Sequence, residues 1–459
     1  MLSNAKDSIT KQTYLFMSVV KWFIIALIIG TIVGAATALF LKLLKISTDF
    51  SNGYSFYYFS IPFVFVLCIF IKRTLLKDSE GHGTEKVIEA IHKRAGKLHI
   101  LTAPVTLVTA ILSIAAGGSA GKEGPSSQIG AGISSLFADL FRLSERDRRK
   151  VVICGISAGF SSVFGTPISG AIFGVEVLIV GTIFYDVLFP SLIAGIISYK
   201  TAEFFGITHK FYHIESTPSF SSSFLLYIVL AGIFFSIVGF LLIKSLEIYQ
   251  TFLKKINLSG YIKGFIGGLI LVGLALVFSN KYLGLGLNVI DSALDGNSDI
   301  VLYAFLLKIL FTVITLNSGG SGGLLTPIFF IGSTAGILFA TTFNLDRQLF
   351  AAIGLVSVLA GTTNTPIASS ILFIELFGAN NAALAALSSI ISFILTGHRS
   401  VYPTQMLAYS KSSFLSIEKN RGLNDVNTRT IYKNSTLIRY YISKLTRLKN
   451  RILKKNKKL

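Results

Sequence analysis

Two short motifs that contain proline each occur twice in this 459-residue chain, and they constrain its fold more than any other feature. The first is GGSAGKEGP at residues 117–125, which returns as GGSGGLLTP at residues 319–327, an offset of 202 residues. The second is TPI at residues 166–168, which returns at residues 365–367, an offset of 199 residues. Membrane proteins built from two such repeats, with helices broken by Gly and Pro, place their transport site where the halves meet. The duplication therefore predicts an internal repeat with a functional site at its centre.

The composition indicates a membrane protein. Hydrophobic residues make up 52% of the chain and charged residues 14%, whereas a soluble domain has about 25% charged residues. The runs Trp22–Leu44 and Phe224–Leu242 are long enough to cross a bilayer, which takes about 20 apolar residues. We therefore expect an all-α polytopic membrane protein of tilted and broken helices.

The net charge of +20 is concentrated in three basic clusters. They lie at residues 93–97, at residues 142–150 and in the tail, where residues 429–459 carry eleven Lys or Arg and no acid. Since basic loops stay in the cytoplasm, the clusters are expected on that side of the membrane. The tail is expected to contact anionic lipid, and not nucleic acid, because no recognition fold accompanies its charge.

These patterns divide the chain into three parts. We expect a surface helix at residues 1–18, a transmembrane domain at residues 19–411 and a basic cytoplasmic tail at residues 412–459. Within the domain, the repeats are expected at about 82–205 and about 298–397. The first apolar run is too long for a cleavable signal peptide, so the chain is expected to be multi-pass in a prokaryotic inner (plasma) membrane, without a large regulatory domain.

The residues that commonly build enzymes or metal centres do not form a cluster in the sequence. Cys68 and Cys154 lie in apolar surroundings and are expected to be packed thiols. His209 and His213 have a helical spacing, but no further ligand completes a site. We therefore expect neither an enzyme nor a metal or organic cofactor, and the only expected bound groups are chloride ions.

The glycine-rich turns have the chemistry of an anion site. Glycine followed by proline marks a helix N-terminus, which offers unpaired amides and a partial charge of about +0.5. Several such ends bind an anion weakly enough to release it. Glu123 is the only acid in either turn, and its carboxylate can occupy the anion position until it is protonated. Lys122 is either a site cation or a paired lysine near the surface.

One of these turns is also a family signature. GKEGP at residues 121–125 resembles the G-(K/R)-E-G-P motif of the CLC family of chloride channels and chloride/proton antiporters. GHGTE at residues 81–85 stands where the family has G-S-G-I-P, and GLLTP at residues 323–327 stands where it has G-x-F-x-P. Tyr402 stands at the pore tyrosine. The resemblance covers about residues 20–410 and implies two inverted-topology repeats and a homodimer with one pore in each subunit.

The resemblance also implies roles for single residues. Glu123 resembles the gating glutamate, and Tyr402 resembles the phenol that hydrogen-bonds the central anion. The amides of Gly124, Leu324 and Leu325 resemble the backbone groups around that anion, and His82 replaces the family serine that contacts it. The other motif residues are Gly81, Gly83, Gly121, Lys122, Pro125, Gly323 and Pro327.

Three residues depart from the family pattern. His82 brings a titratable ring and is either a neutral loop donor or a pore donor that makes conduction depend on pH. Glu85 replaces a proline, so the following helix is expected to begin at a shifted position. Leu325 replaces a phenylalanine, which is expected to alter pore width. Because a fluoride-exporting branch also departs from the standard motifs, fluoride remains an alternative to chloride.

Antiporters of this family usually carry a second, proton-transferring glutamate. Its position falls at Val177, directly after Glu176. This favours a passive voltage- or pH-gated chloride channel, with a chloride/proton antiporter as the alternative. Glu176 recurs in the second repeat as Glu375, and both are expected to have a structural role at a repeat or subunit interface.

Overall fold

The computed structural model describes residues 2–76, 83–214, 216, 221–297, 300–412, 415–416, 421–423 and 429–430. Within these residues the fold consists of sixteen α-helices and a few two-residue strands. The first eight helices are α1 Leu2–Asn52, α2 Ile61–Leu75, α3 Thr84–Lys93, α4 Thr102–Ala115, α5 Glu123–Leu140, α6 Glu145–Phe164, α7 Pro167–Glu176 and α8 Tyr185–Phe204. The second eight are α9 Ser222–Lys255, α10 Gly260–Val277, α11 Leu287–Leu294, α12 Ala304–Asn317, α13 Leu325–Phe343, α14 Arg347–Thr363, α15 Pro366–Phe377 and α16 Ala382–Thr396.

The two sets of eight helices are structural repeats. Helices α4, α5 and α6 begin 202 residues before α12, α13 and α14, and α7 begins 199 residues before α15. The packing repeats as well, since α1 contacts α4, α5, α6 and α8, while α9 contacts α12, α13, α14 and α16. Each half is thus one copy of an eight-helix unit.

The repeats are longer than the sequence predicted. The expected bounds of 82–205 and 298–397 leave out α1 and α2 from the first repeat and α9, α10 and α11 from the second. The long apolar helices lack the recurring Gly-Pro motifs, so only their shared packing partners show that they correspond. The surface helix expected at residues 1–18 is not separate either, because α1 continues through it without a break.

Small residues let the central helices of each repeat pack closely. A Cβ atom on Gly332 of α13 would lie 2.5 Å from the Gly354 carbonyl oxygen of α14. Gly130 of α5 meets Gly155 of α6 in the same way in the first repeat. Backbones that approach this closely are typical of helix pairs in membranes, where small residues permit contact.

Five helical stretches among the described residues are long and apolar enough to cross a membrane, and the largest hydrophobic cluster joins both repeats. The five stretches are Thr10–Asn52, Tyr57–Leu75, Ser222–Lys255, Gly260–Val277 and Leu325–Phe343. The polytopic all-α prediction is therefore confirmed, with shorter helices such as α12 and α15 completing each repeat.

Two of the predicted basic clusters lie on one face of the protein. Lys21, near the exposed start of α1, donates to Asp147 at 2.7 Å, which places it beside the basic start of α6. The loop after α3 joins this region where the Leu98 amide donates to the Ser135 hydroxyl at 3.0 Å. These contacts bring the two clusters close together, and their cytoplasmic location stays a prediction.

The chain after α16 returns to the domain through short strands. Ile179–Val180 (β1) pairs in parallel with Met406–Leu407 (β2), which pairs antiparallel with Arg421–Gly422 (β4). Leu415–Ser416 (β3) pairs antiparallel with Arg429–Thr430 (β5). The expected tail boundary at residue 412 thus falls inside a segment whose strands pair with the domain, and most of the predicted tail lies outside the described residues.

Candidate anion site

The two glycine-rich turns meet at the boundary between the repeats. The Gly121 amide donates to the Gly323 carbonyl at 2.7 Å, and the Gly323 amide donates to the Gly121 carbonyl at the same distance. These glycines are equivalent residues of the two repeats, so the pair is reciprocal and antiparallel. A local two-fold axis therefore passes between them, as expected for repeats of inverted topology.

Serine and threonine side chains brace both turns in the same reciprocal way. The Ser119 amide donates to the Thr315 hydroxyl at 3.0 Å. Its equivalent, the Ser321 amide, donates to the Ser113 hydroxyl at 3.0 Å. Each turn is thus held by a helix of the opposite repeat, which satisfies buried backbone donors that would otherwise be costly.

Three helix N-termini converge on this point. Gly83, which precedes α3 with φ +41°, would place a Cβ atom 3.3 Å from the Gly124 Cα in α5. A Cβ atom on Gly124 would lie 2.7 Å from the Gly323 Cα, just before α13. Only glycine allows these backbones so close together. The partially positive ends of α3, α5 and α13 therefore surround a common region suited to an anion.

Glu123 occupies part of this region with its own side chain. The residue is fully buried. Its Oε2 accepts from the Thr326 amide at 3.1 Å, and its Oε1 accepts a short hydrogen bond from the Thr326 hydroxyl. The carboxylate therefore stands at the N-terminus of α13, where an anion would be favoured.

Thr326 was not among the predicted site residues. It lies inside the GLLTP segment, where it is the one hydroxyl among apolar residues. A hydroxyl in an otherwise apolar segment is the sequence signal that could have identified Thr326. The partner could not be identified from sequence, because Thr326 and Glu123 are 203 residues apart.

Tyr402 follows α16 and is 3% exposed. The Thr84 hydroxyl at the start of α3 adjoins its phenol. Thr84 Oγ1 is buried, and among the described residues it has no partner that meets the full criteria of a hydrogen bond. A buried hydroxyl without a partner is unfavourable, so a bound anion would be a suitable acceptor for it. Thr84 was also not among the predicted site residues, because only the fold brings its hydroxyl to Tyr402.

Most of the other predicted motif residues are buried beside the turns or lie outside the described residues. Gly124, Pro125, Leu324, Leu325 and Pro327 are buried at the starts of α5 and α13. The first amides of a helix have no acceptor within it, so these positions suit the predicted backbone contacts. Gly81 and His82 lie outside the described residues. The helix after them, α3, begins at Thr84, directly before the unusual Glu85.

Lys122, the residue before Glu123, lines a cavity of about 1040 Å³. Lys42, Lys45 and Lys281 also line this cavity, together with Asp49. An excess of cationic side chains attracts anions toward the site. The lysine thus faces a chamber next to the proposed anion position, which favours a role in the approach of anions.

Val177, where the resemblance places a proton glutamate, is fully buried after α7. Its carbonyl accepts from Gln405 Nε2 at 2.7 Å. The preceding Glu176 accepts from the amides of Ile367 and Ala368 at 3.1 and 2.8 Å. Glu176 therefore caps the N-terminus of α15 in the other repeat.

Among the described residues, no group of three or more His, Cys, Asp or Glu side chains is placed to hold a metal ion. Cys68 and Cys154 are both buried free thiols, as their apolar surroundings predicted. His209 contacts the Ser162 carbonyl at 3.0 Å, so it packs against α6.

Comparisons with known proteins agree with this geometry. The family model described as voltage gated chloride channel matches residues 63–397. A chloride/fluoride channel protein of Pseudomonas syringae pv. tomato is 33% identical over 408 residues, covering 87% of this chain and 90% of the relative. The H(+)/Cl(-) exchange transporter ClcA of Klebsiella pneumoniae is 25% identical and covers 67% of this chain and 68% of the relative.

Solved structures show the same fold. The crystal structure of a CLC-type fluoride/proton antiporter superimposes with a TM-score of 0.81 at 28% identity, covering 85% of this chain and 99% of the other. A slow cyanobacterial Cl-/H+ antiporter superimposes with a TM-score of 0.73 at 20% identity, covering 82% of this chain and 94% of the other.

Proposed function

Because the chain belongs to the voltage-gated chloride channel family, we propose that it carries chloride or fluoride across the membrane through a pore gated by Glu123. One observation carries this proposal: the Glu123 carboxylate is held at the N-terminus of α13 by the amide and hydroxyl of Thr326. A carboxylate in that position occupies the place that the helix end offers to an anion. The gate and the transported ion thus compete for the same donors.

The chemistry of opening follows from this competition. Protonation removes the charge of Glu123, so its attraction to the end of α13 falls. The Thr326 amide and hydroxyl then become available to an entering halide. Tyr402 and Thr84 supply further hydroxyl donors. Amides and hydroxyls bind an anion without a full positive charge, which keeps binding weak enough for release.

A passive channel is the first mode of transport that we propose, gated by pH or voltage. Val177 offers no carboxylate where antiporters of the family usually have one. Glu176 is next to it, but both of its oxygens accept amide hydrogen bonds from α15. A group held in this way is poorly placed to transfer protons to Glu123.

Proton-coupled antiport is the alternative mode. It is favoured by two similar proteins, of which one is named an H(+)/Cl(-) exchange transporter and the other a fluoride/proton antiporter. Glu123 would then pick up a proton each time it leaves the anion position. Antiport differs from a channel in that halide movement is coupled to proton movement in the opposite direction.

Fluoride is proposed as an alternative ion because the Pseudomonas syringae relative is named for both chloride and fluoride. The chain also departs from the family pattern at two filter positions, His82 and Leu325. The functional unit is proposed to be a homodimer with one pore in each subunit. It is placed in the inner membrane with the basic loops and tail in the cytoplasm.

Flux from liposomes tests the proposal. Purified protein would be reconstituted with internal chloride or fluoride, and halide-selective and pH electrodes would record release together. Halide release without proton movement supports a channel. Proton movement driven by the halide gradient at a fixed ratio supports an antiporter, and the ion released faster identifies the substrate. Liposomes that release neither halide above the protein-free rate would overturn the proposal.

A further inference from the structure

A chain of buried and partly buried hydrogen bonds links Lys411 to the turn that carries Tyr402, within the segment that follows the last helix. The Lys411 ammonium donates to Asn364 Oδ1 at 2.5 Å and to the Phe393 carbonyl at 2.7 Å. Asn364 Nδ2 in turn donates to Gln405 Oε1 at 3.0 Å. The side chains of Lys411 and Gln405 are therefore joined through Asn364 at the end of α14.

Gln405 is the centre of this chain and is fully buried. Its Nε2 donates to the Val177 carbonyl at 2.7 Å and to the Thr363 carbonyl at 2.8 Å. Its main-chain amide donates to the Tyr402 carbonyl at 3.1 Å. One side chain thus connects the end of α7, the end of α14 and the turn that carries Tyr402.

Two helix ends offset part of the cost of burying the lysine. Asn364 follows α14 with φ +59°, and Phe393 lies in the last turn of α16. The C-terminal ends of two helices carry partial negative charge, which opposes the desolvation of an ammonium between them. The ammonium also lies 3.9 Å from the centre of the Phe393 ring, a favourable cation–π distance.

We propose that Gln405, Asn364 and Lys411 are positioning residues for Tyr402, and that they set the halide affinity of the pore without touching the ion. The inference rests on the proposed function, in which Tyr402 binds the anion. The Tyr402 turn is anchored to both repeats through Gln405, and Lys411 fixes the amide of Asn364 that orients Gln405. Loss of the chain would let the phenol move relative to the other donors of the site.

Asn364→Asp distinguishes two roles of the hydrogen-bond chain: positioning the Tyr402 phenol, or only anchoring the segment after α16 to the domain. Aspartate tolerates the left-handed backbone of residue 364, and its carboxylate still accepts from Lys411. The change removes the amide donor to Gln405 Oε1 and to the Arg399 carbonyl. If the chain positions Tyr402, the KM for halide flux rises about fivefold, within the range of coupling inside one hydrogen-bond network. If the chain only anchors the segment after α16, the KM for halide flux should be unchanged.

A double-mutant cycle with Lys411→Met and Tyr402→Phe gives the second test. Lys411→Met should raise the KM for halide flux about fivefold when Tyr402 is intact. In the Tyr402→Phe background the same change should raise the KM little further. Lys244→Met is the control, because that lysine is half exposed on α9. Melting temperatures of all variants would report folding.

The outcomes are distinct. Additive effects in the cycle, or an unchanged KM in Asn364→Asp, would overturn the positioning role while leaving the proposed function intact. A wild-type protein without halide flux would instead refute the proposed function. If Lys411→Met does not fold, Asn364→Asp alone decides.

Discussion

Glu176 and Glu375 cap each other's repeats. The carboxylate of Glu176 accepts from the amides of Ile367 and Ala368 at the start of α15. The carboxylate of Glu375 accepts from the amides of Ile168 and Ser169 at 2.9 and 2.7 Å, at the start of α7. Each acid lies in the last turn of its own helix and caps the start of the other, so α7 and α15 run antiparallel with both N-termini satisfied.

The first prediction concerns this reciprocal pair. Glu176→Gln should destabilise the protein by about 2 kcal/mol, because charge-assisted hydrogen bonds are lost and an amide donor faces two backbone donors. Thermal unfolding in detergent measures the effect as a lower melting temperature. Glu247→Gln on exposed α9 is the matched control. Equal melting temperatures for the two variants would contradict the capping role.

Glu123→Gln should produce a pore that is open at all pH values, because the neutral amide mimics the protonated gate. The pH dependence of halide flux, recorded between acidic and alkaline buffers in liposomes, should flatten. Proton coupling, where the wild type shows it, should vanish. A variant that retains the wild-type pH profile would remove Glu123 from the gate.

Thr326→Val should weaken the closed state. The valine keeps the shape of the side chain and the backbone amide, but the hydroxyl donor to Glu123 is lost. Halide flux at alkaline pH should rise about fivefold, which corresponds to about 1 kcal/mol for one hydrogen bond. Thr334→Val, whose hydroxyl bonds the Phe330 carbonyl of its own helix, is the control. Flux that is unchanged relative to this control would argue against the role of Thr326.

Thr84→Val distinguishes an anion ligand from a buried hydroxyl of no function. Removal of a hydroxyl that has no protein partner should leave the melting temperature unchanged or higher. Calorimetric titration should nevertheless show halide binding weakened about fivefold, because a donor to the ion is lost. Thr84→Ser retains the donor and should bind as the wild type does. Equal affinity in the valine and serine variants would exclude Thr84 from the site.

Acid should loosen the segment after α16 through His398. Burial, followed by the charges of Lys411 and Arg399, holds the pKa of His398 below its ordinary value of 6.5. Its Nε2 accepts from the Lys411 amide at 3.0 Å and lies 3.4 Å from the Ser410 hydroxyl. The neutral ring is therefore the form that the fold favours.

The sign of the effect follows from this lowered pKa. Below about pH 6.5 the unfolded chain binds the proton first, so stability falls as the pH drops toward the folded-state pKa and then levels off. Melting temperatures between pH 7 and pH 5 should decline less in His398→Gln than in the wild type. Parallel declines would show that His398 does not contribute.

The sequence predicted the centre of the molecule better than its periphery. The motif register located the starts of α5, α7, α13 and α15, because glycine and proline have strong local effects on backbone conformation. The same turns predicted Glu123 as the gate, and its role stays a prediction. The outer helices α1, α2, α9 and α10 were not recognised as repeat members. A uniformly apolar sequence does not show which residues of the two repeats correspond.

Contacts between distant segments could not be predicted in the same way. Thr326 meets Glu123 only because Gly121 and Gly323 pair across the repeats. Thr84 meets Tyr402 across 318 residues, and Lys411 reaches Asn364 across 47 residues. None of these contacts follows from helix periodicity or charge pattern, because each depends on the relative placement of whole helices.

The Gly121–Gly323 pair has a consequence for the direction of transport. Its local two-fold axis relates Glu123 to Leu325 and Thr326 to Gly124, so the symmetry of the backbone is broken by side chains at these positions. Two identical turns would present the same order of groups to ions travelling either way. Here Glu123 in one turn is matched by Leu325 in the other. Inward and outward passage through the proposed pore would therefore be chemically distinct, and rectification would follow from side-chain differences on a symmetric frame.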